Sequence, residues 1–142
     1  MNFIDRALEQ KLTGDDFLQA MANYYSEPEV ENIWNQYPAF VKDVIMIMDY
    51  DTTLQMEGVD EVINGSLEER FDDITGALER CGLTEEVMVL KEAKALFHKD
   101  PDKYEEKYDE LVKRIALHND YESFWNAVRN YIDKSMNSRN LE

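Results

Sequence analysis

Hydrophobic residues recur at steps of three and four along most of the chain, which is the spacing of one buried face of an α-helix. The clearest stripes lie in residues 71–78 and 104–115. Alternation of the kind found in strands is not sustained over five residues anywhere in the sequence. The pattern therefore predicts an all-α fold, a compact bundle of about six or seven helices that forms one domain over residues 1–142.

One segment is apolar nearly all round. Residues 40–48 contain seven hydrophobic side chains and are followed by more polar residues up to Gly58. A helix without a polar side has to be buried on several sides, so the sequence predicts a buried central helix near residues 39–57. The polar end of the chain, residues 136–142, is expected to be a frayed tail.

The charge balance limits the classes of partner that the protein can bind. The chain of 142 residues has 31 acidic and 15 basic residues, a net charge of −16. Nucleic acids and anionic lipid surfaces repel such a protein, because both are bound through lysine and arginine. We therefore expect no direct nucleic-acid or membrane contact, and we expect a basic protein partner. The alternative is that the acidity only keeps an abundant protein soluble.

The sequence also predicts the compartment. Cys81 is the single cysteine, so no disulfide can form within the chain. The first ten residues lack the basic and apolar segments of a secretory signal, and the longest apolar run, residues 44–48, is too short to span a bilayer. We expect a cytoplasmic protein, and the sequence leaves a homodimer open.

Little in the sequence predicts catalysis. Cys81 has no histidine near it in sequence, and His98 and His118 each lie at a predicted helix end, where the helix dipole favours positive charge. Neither H-E-x-x-H nor E-x-x-H occurs. The prediction is no catalytic residue, no metal and no cofactor. An enzyme or metal-binding bundle that uses buried carboxylates is the alternative, because the sequence does not show which carboxylate is desolvated.

Acidic residues are concentrated in one stretch. Residues 49–73 contain nine acidic residues and one base, Arg70, so half of the net charge lies in 25 residues. Two pairs in the predicted helix, Glu68 with Asp72 and Glu69 with Asp73, repel at a cost of about 0.2–0.5 kcal/mol each, so folding alone does not require them. We predict a partner-binding acidic face formed by Glu57, Asp60, Glu61, Glu68, Glu69, Asp72 and Asp73.

A turn interrupts the acidic stretch. Asn64 and Gly65 both tolerate left-handed backbone conformations, and Ser66 is placed to cap a helix with Glu69 as its reciprocal partner. Glu61 could accept hydrogen bonds from backbone N–H groups at the start of that helix. We therefore predict a structural motif of Glu61, Asn64, Gly65 and Ser66 that fixes the angle between two helices.

The same stretch resembles a known family. The series E-V-x-N-G-S-L-x-E-x-F over residues 61–71 is similar to the E-V-x-N-G-G-[FY]-x-Q-x-[FY] signature of a family of small, acidic, helical bacterial proteins of unknown function that includes a DNA mimic. The resemblance covers about residues 58–97. Ser66 stands where the family usually has glycine, and Glu69 where it usually has glutamine.

The resemblance implies a non-enzymatic binding protein and, more specifically, one that mimics DNA. Rows of carboxylates one helical turn apart have a spacing comparable to that of successive phosphates on a DNA strand, so a basic DNA-binding protein is the expected partner. A toxin-immunity-like protein would use the same acidic surface on another target. The sequence leaves these two alternatives open, beside the metal-binding or hydrolytic bundle.

Overall fold

The computed structural model describes residues 1–140 and confirms the all-α fold class. The described residues contain no strand and form a bundle of eight α-helices, one or two more than predicted. The helices are α1 (Phe3–Glu9), α2 (Gly14–Met21), α3 (Ala39–Glu57), α4 (Val59–Asn64), α5 (Phe71–Arg80), α6 (Thr84–Lys99), α7 (Pro101–Lys113) and α8 (Tyr121–Asn140).

Helix α3 is the predicted central helix. Ten of its 19 residues are buried, and it packs against α2, α4, α5 and α8. Its apolar side chains lie on all sides because it has neighbours on all sides. Two acidic residues, Asp43 and Asp51, are buried within it.

Short 3₁₀ segments join α2 to α3, where the sequence also has two prolines. They cover Ala22–Tyr25, Pro28–Asn32 and Trp34–Gln36. Trp34 is buried among them and stacks on Tyr24 with 6.2 Å between ring centroids. This irregular segment covers the side of α3 that the regular helices leave open.

The start of α5 differs from the prediction. Ser66 does not cap a helix, since a single 3₁₀ turn covers Glu68–Arg70 and α5 begins only at Phe71. The physical reason is the competing acceptor Glu61, whose carboxylate takes the backbone N–H of Ser66 at 2.9 Å. The segment after Gly65 is therefore held as a turn against α4.

Helix α8 extends to Asn140, and Met136 on it is fully buried. Residues 141 and 142 lie outside the described residues. The frayed tail over residues 136–142 and the single-domain boundaries stay predictions.

Candidate functional site

The seven acidic residues of the predicted face lie on four consecutive pieces of the chain. Glu57 ends α3, the first turn of α4 carries two of them, the 3₁₀ turn before α5 carries two, and the first turn of α5 carries two. Six are exposed, and Glu61 is half-buried. Whether they act together therefore depends on what lies next to each carboxylate.

Arg70, the single base of this stretch, is used elsewhere. Its Nη2 donates to Oε1 of Glu31 at 2.6 Å, and its Nη1 lies 3.4 Å from the Tyr24 hydroxyl. The guanidinium also lies over the ring of Trp34, 5.5 Å from the centroid. Arg70 thus ties the acidic stretch to the 3₁₀ segments and leaves the neighbouring carboxylates without its charge.

Two of the seven carboxylates have basic side chains from other helices beside them. Asp73 lies 3.7 Å from the ammonium of Lys42 on α3, and Glu68 lies 4.0 Å from His98 on α6. Both pairs are partly exposed, and such pairs typically contribute between about 0 and 1 kcal/mol. The two partners belong to different helices, α3 and α6, so the two carboxylates do not share a neighbour.

Cations also border Asp72. It lines a shallow cavity with Phe71 of α5 and with Lys91 and Lys94 of α6. The Lys94 ammonium lies 4.3 Å from the Phe71 ring centroid, close enough for a cation–π contact. The α5 part of the predicted face therefore lies beside a basic strip of α6.

The α4 part of the predicted face lies next to α7 instead. The Tyr104 hydroxyl donates to Oδ1 of Asp60 at 2.6 Å. Burial raises the pKa of Tyr108, and the negative charges of Asp60 and Asp109 raise it further. A Cβ atom on Gly58, just before α4, would lie 3.7 Å from the Tyr108 hydroxyl oxygen, so the start of α4 lies beside the tyrosines of α7.

Four carboxylates make up what we call the α4–α7 acidic surface, namely Glu57, Asp60, Glu105 and Asp109. Glu105 precedes Asp109 by one helical turn and is exposed beside it on α7. Within residues 1–140, no lysine, arginine or histidine forms an ion pair with any of the four. The four carboxylates therefore have no ion-paired cation in the described chain, although the exposed Lys113 follows Asp109 by one turn of α7.

Sequence reasoning missed the α7 half of this surface. The mixed charges of residues 103–114 predicted an ordinary exposed helix. The available signal was the spacing of Tyr104 and Tyr108, one turn apart, because it fixes which side of α7 is buried and hence which acids flank it. The hydrogen bond that links Tyr104 of α7 to Asp60 of α4 could not be read from the sequence.

The residues of the predicted structural motif lie together at the end of α4. The Glu61 side chain accepts from the Ser66 N–H, and its carbonyl oxygen accepts from the Leu67 N–H at 3.1 Å. A Cβ atom on Gly65 would lie only 2.8 Å from Cα of Glu61, closer than real Cβ atoms approach. Asn64 is exposed as the last residue of α4. Glu61 is thus engaged with the backbone, which leaves it less available to a partner.

The buried carboxylates bear on the alternative of an enzyme. Asp43 receives two hydrogen bonds of 2.8 Å from Arg80 and one of 2.5 Å from the Tyr131 hydroxyl. Asp51 receives one of 2.8 Å from the Tyr121 hydroxyl. Burial raises the pKa of Asp51, and this hydrogen bond opposes the rise. Both groups have protein partners that account for their burial.

Glu86 on α6 is the third buried carboxylate of this kind. It accepts from the Tyr50 hydroxyl at 2.6 Å and from the Ala116 N–H at 3.0 Å, and it forms no ion pair within residues 1–140. Burial raises the pKa of Glu86, against the effect of both hydrogen bonds. In the part of the chain that the structure describes, no group of three or more His, Cys, Asp or Glu side chains is arranged to hold a metal ion.

Cys81 is half-buried at the end of α5. Burial raises the pKa of its thiol to about 12, and the negative charge of Asp43 acts in the same direction. The thiol therefore stays protonated at neutral pH, and a nucleophilic thiolate is not favoured there.

Comparison with known proteins identifies the family. The family model described as DMP19-like protein matches residues 35–137, from the last 3₁₀ segment before α3 well into α8. No curated protein and no solved structure matches the chain. None of the helices described is long and apolar enough to cross a membrane. Since the match covers well over half of the sequence, the chain belongs to the DMP19-like protein family.

Proposed function

We propose that this protein is a non-enzymatic binding protein that engages a basic, DNA-binding protein in place of DNA. Family membership supports the general role, because the DMP19-like family is one of DNA mimics. The net charge of −16 supports the sign of the partner. The single observation that carries the proposal is the α4–α7 acidic surface, with its four carboxylates and no ion-paired cation in the described chain.

The α4–α7 acidic surface suits this role better than the face predicted from the sequence. Glu105 and Asp109 are spaced by one turn of α7, about 5–6 Å, which is comparable to the phosphate spacing along a DNA strand. Glu57 and Asp60 extend the pattern onto α3 and α4. Glu68 and Asp73, which lie beside His98 and Lys42, are left out of it.

The mechanism is electrostatic. The summed field of the acidic surface attracts a basic partner and orients it before contact, and charge-assisted hydrogen bonds with arginine and lysine then hold the complex. A DNA-binding protein has such side chains along its DNA groove. Occupation of that groove by this protein would exclude DNA.

Affinity capture followed by competition tests the proposal. The full-length protein is immobilised, cytosolic proteins are bound at low salt, and a captured basic protein is identified and purified. We expect a DNA fragment that carries the partner's site to displace the complex, because both ligands need the same basic groove. A basic partner whose binding is indifferent to its own DNA would contradict mimicry.

Charge-neutralised variants locate the surface. The triple variant E57Q/D60N/D109N should weaken binding of the captured partner by about tenfold or more, since each lost charge pair contributes on the order of 1 kcal/mol. The matched control E9Q/D16N/E122Q removes the same charge from exposed residues of α1, α2 and α8 and should weaken it far less. Equal losses would show that only the net charge matters.

A further inference from the structure

A polar cavity lies on the side of α5 away from α6, where α5 faces the start of α3. Its volume is about 340 Å³, and Asp43 and Met46 form its deeper part. The side chains that matter for its chemistry are Trp34, Asn35, Lys42, Asp73 and Arg80. Two cationic side chains thus converge on one cavity of a strongly acidic protein.

Arg80 is held rigidly at this cavity. Its Nε and Nη2 both donate to the carboxylate of Asp43, which is buried and is also held by Tyr131. A Cβ atom on Gly76, one turn earlier on α5, would be in ordinary van der Waals contact with Nη1 at 3.4 Å. Nη1 makes no hydrogen bond within residues 1–140, and half of the side chain is exposed. The guanidinium therefore has a fixed direction and free donors.

Lys42 occupies an electrostatically unfavourable position in its helix. It lies in the first turn of α3, where the positive end of the helix dipole disfavours a cation. That turn has no acidic residue, and the Pro38 cap provides no side-chain acceptor for the free backbone N–H groups. The ammonium is held 5.6 Å from the Trp34 ring centroid and 3.7 Å from Asp73. A bound anion would give the ammonium a closer partner than the Asp73 carboxylate.

We propose that this cavity is a binding site for a small organic oxyanion, with the carboxylate or phosphate group between Lys42 and Arg80 and the body of the molecule toward Trp34. The free Nη1 donors of Arg80 suit a planar oxyanion, and Lys42 adds a point charge. Asn35 contributes an amide at the rim. The site does not depend on the proposed function, since it faces neither α4 nor α7.

Asp73 has a defined part in this site. Its carboxylate is mostly exposed and lies beside Lys42 at a distance longer than a good hydrogen bond. It therefore competes with a bound anion for the ammonium. Removal of its charge should strengthen anion binding, which a merely structural ion pair would not predict.

The test is an NMR titration of the full-length protein with benzoate and, separately, with inorganic phosphate. The indole N–H of Trp34 and the Nε–H of Arg80 are followed in ¹H–¹⁵N spectra. We expect saturable shifts of both signals, with dissociation constants in the millimolar range that is usual for so small a ligand. Tighter benzoate binding would identify a carboxylate ligand, and tighter phosphate binding a phosphate ester.

Four variants, one of them a matched control, make the result decisive. Lys42→Gln should weaken binding about tenfold, the effect of one charge-assisted hydrogen bond, whereas Asp73→Asn should strengthen it by about threefold. Lys91→Gln is the matched control, because it removes the same charge from an exposed site on α6 and should change affinity less than about twofold. Arg80→Lys keeps a positive charge beside Asp43 but loses the paired N–H donors of the guanidinium. It should therefore weaken anion binding. Shifts that stay linear with both anions, or equal losses in Lys42→Gln and Lys91→Gln, would overturn the proposal.

Discussion

Carboxylates occupy two contrasting environments in this molecule. Around α3 they are buried and matched to specific donors, as Asp43 is to Arg80 and Tyr131, and Glu86 to Tyr50. On the α4–α7 acidic surface Glu57 and its neighbours face solvent, without an ion-paired cation among residues 1–140.

The difference shows how a chain with few bases distributes them. Arg80 and Arg70 each serve a single carboxylate that ties two segments together, Asp43 in one case and Glu31 in the other. The bases are thus used for architecture, and the surface charge stays uncompensated. Buried partners should therefore affect stability, while surface acids should affect binding.

The largest effect on stability is expected at the buried pair. Arg80→Met would leave Asp43 with only the Tyr131 hydroxyl, and the free energy of unfolding should fall by about 2–3 kcal/mol in urea denaturation. Arg129→Met is the control, because it breaks the exposed pair with Asp15 and should cost less than about 1 kcal/mol. Similar losses in the two variants would remove the contrast between interior and surface.

Glu86 sharpens the comparison, because it is buried without a cation. Burial raises its pKa in the folded protein above the ordinary value of 4.5. The protonated carboxyl therefore stabilises the fold fully at pH values below 4.5. This stabilisation is lost as the pH rises through the raised pKa of the folded protein.

Glu86→Gln should abolish this dependence. The variant should be more stable than the wild type at pH 7, by about 1 kcal/mol, and the difference should disappear near pH 4. Chemical denaturation across this pH range measures it. A variant that is less stable at pH 7 would show that the hydrogen bonds of the ionised carboxylate outweigh its desolvation.

The smallest effect on stability is expected on the acidic surface. The triple variant E57Q/D60N/D109N keeps an acceptor for the Tyr104 hydroxyl at position 60. Its free energy of unfolding should stay within about 0.5 kcal/mol of the wild-type value, or rise slightly as like charges are removed. A loss as large as that of Arg80→Met would mean that these residues are architectural.

The sequence was sufficient for the fold class and the central helix, for a physical reason. Helical periodicity is local, and an apolar run such as residues 40–48 has few ways to avoid water. The capping prediction at Ser66 was wrong because Glu61, five residues earlier, took its backbone N–H. The local preference of Ser66 for a helix N-cap was overridden there by its hydrogen bond to Glu61, which depends on how α4 ends.

The candidate site was only half predictable. Glu57 and Asp60 stood out by composition, but α7 with Asp109 is linked to them only through the hydrogen bond from Tyr104 to Asp60. The basic neighbours of Glu68 and Asp73 come from α6 and α3. Asp43 did give a local signal, since a lone acid in an apolar segment has to be buried with a partner. Which base would reach it could not be read from the spacing.

The salt dependence of partner binding tests the central claim most directly. The dissociation constant of the captured basic partner is measured from low to high salt, for the wild type and for E57Q/D60N/D109N. If unneutralised carboxylates of the α4–α7 acidic surface drive binding, wild-type affinity should fall steeply with salt and the variant should give a shallower slope. A wild-type affinity that hardly changes with salt, or equal slopes for the two proteins, would contradict the account.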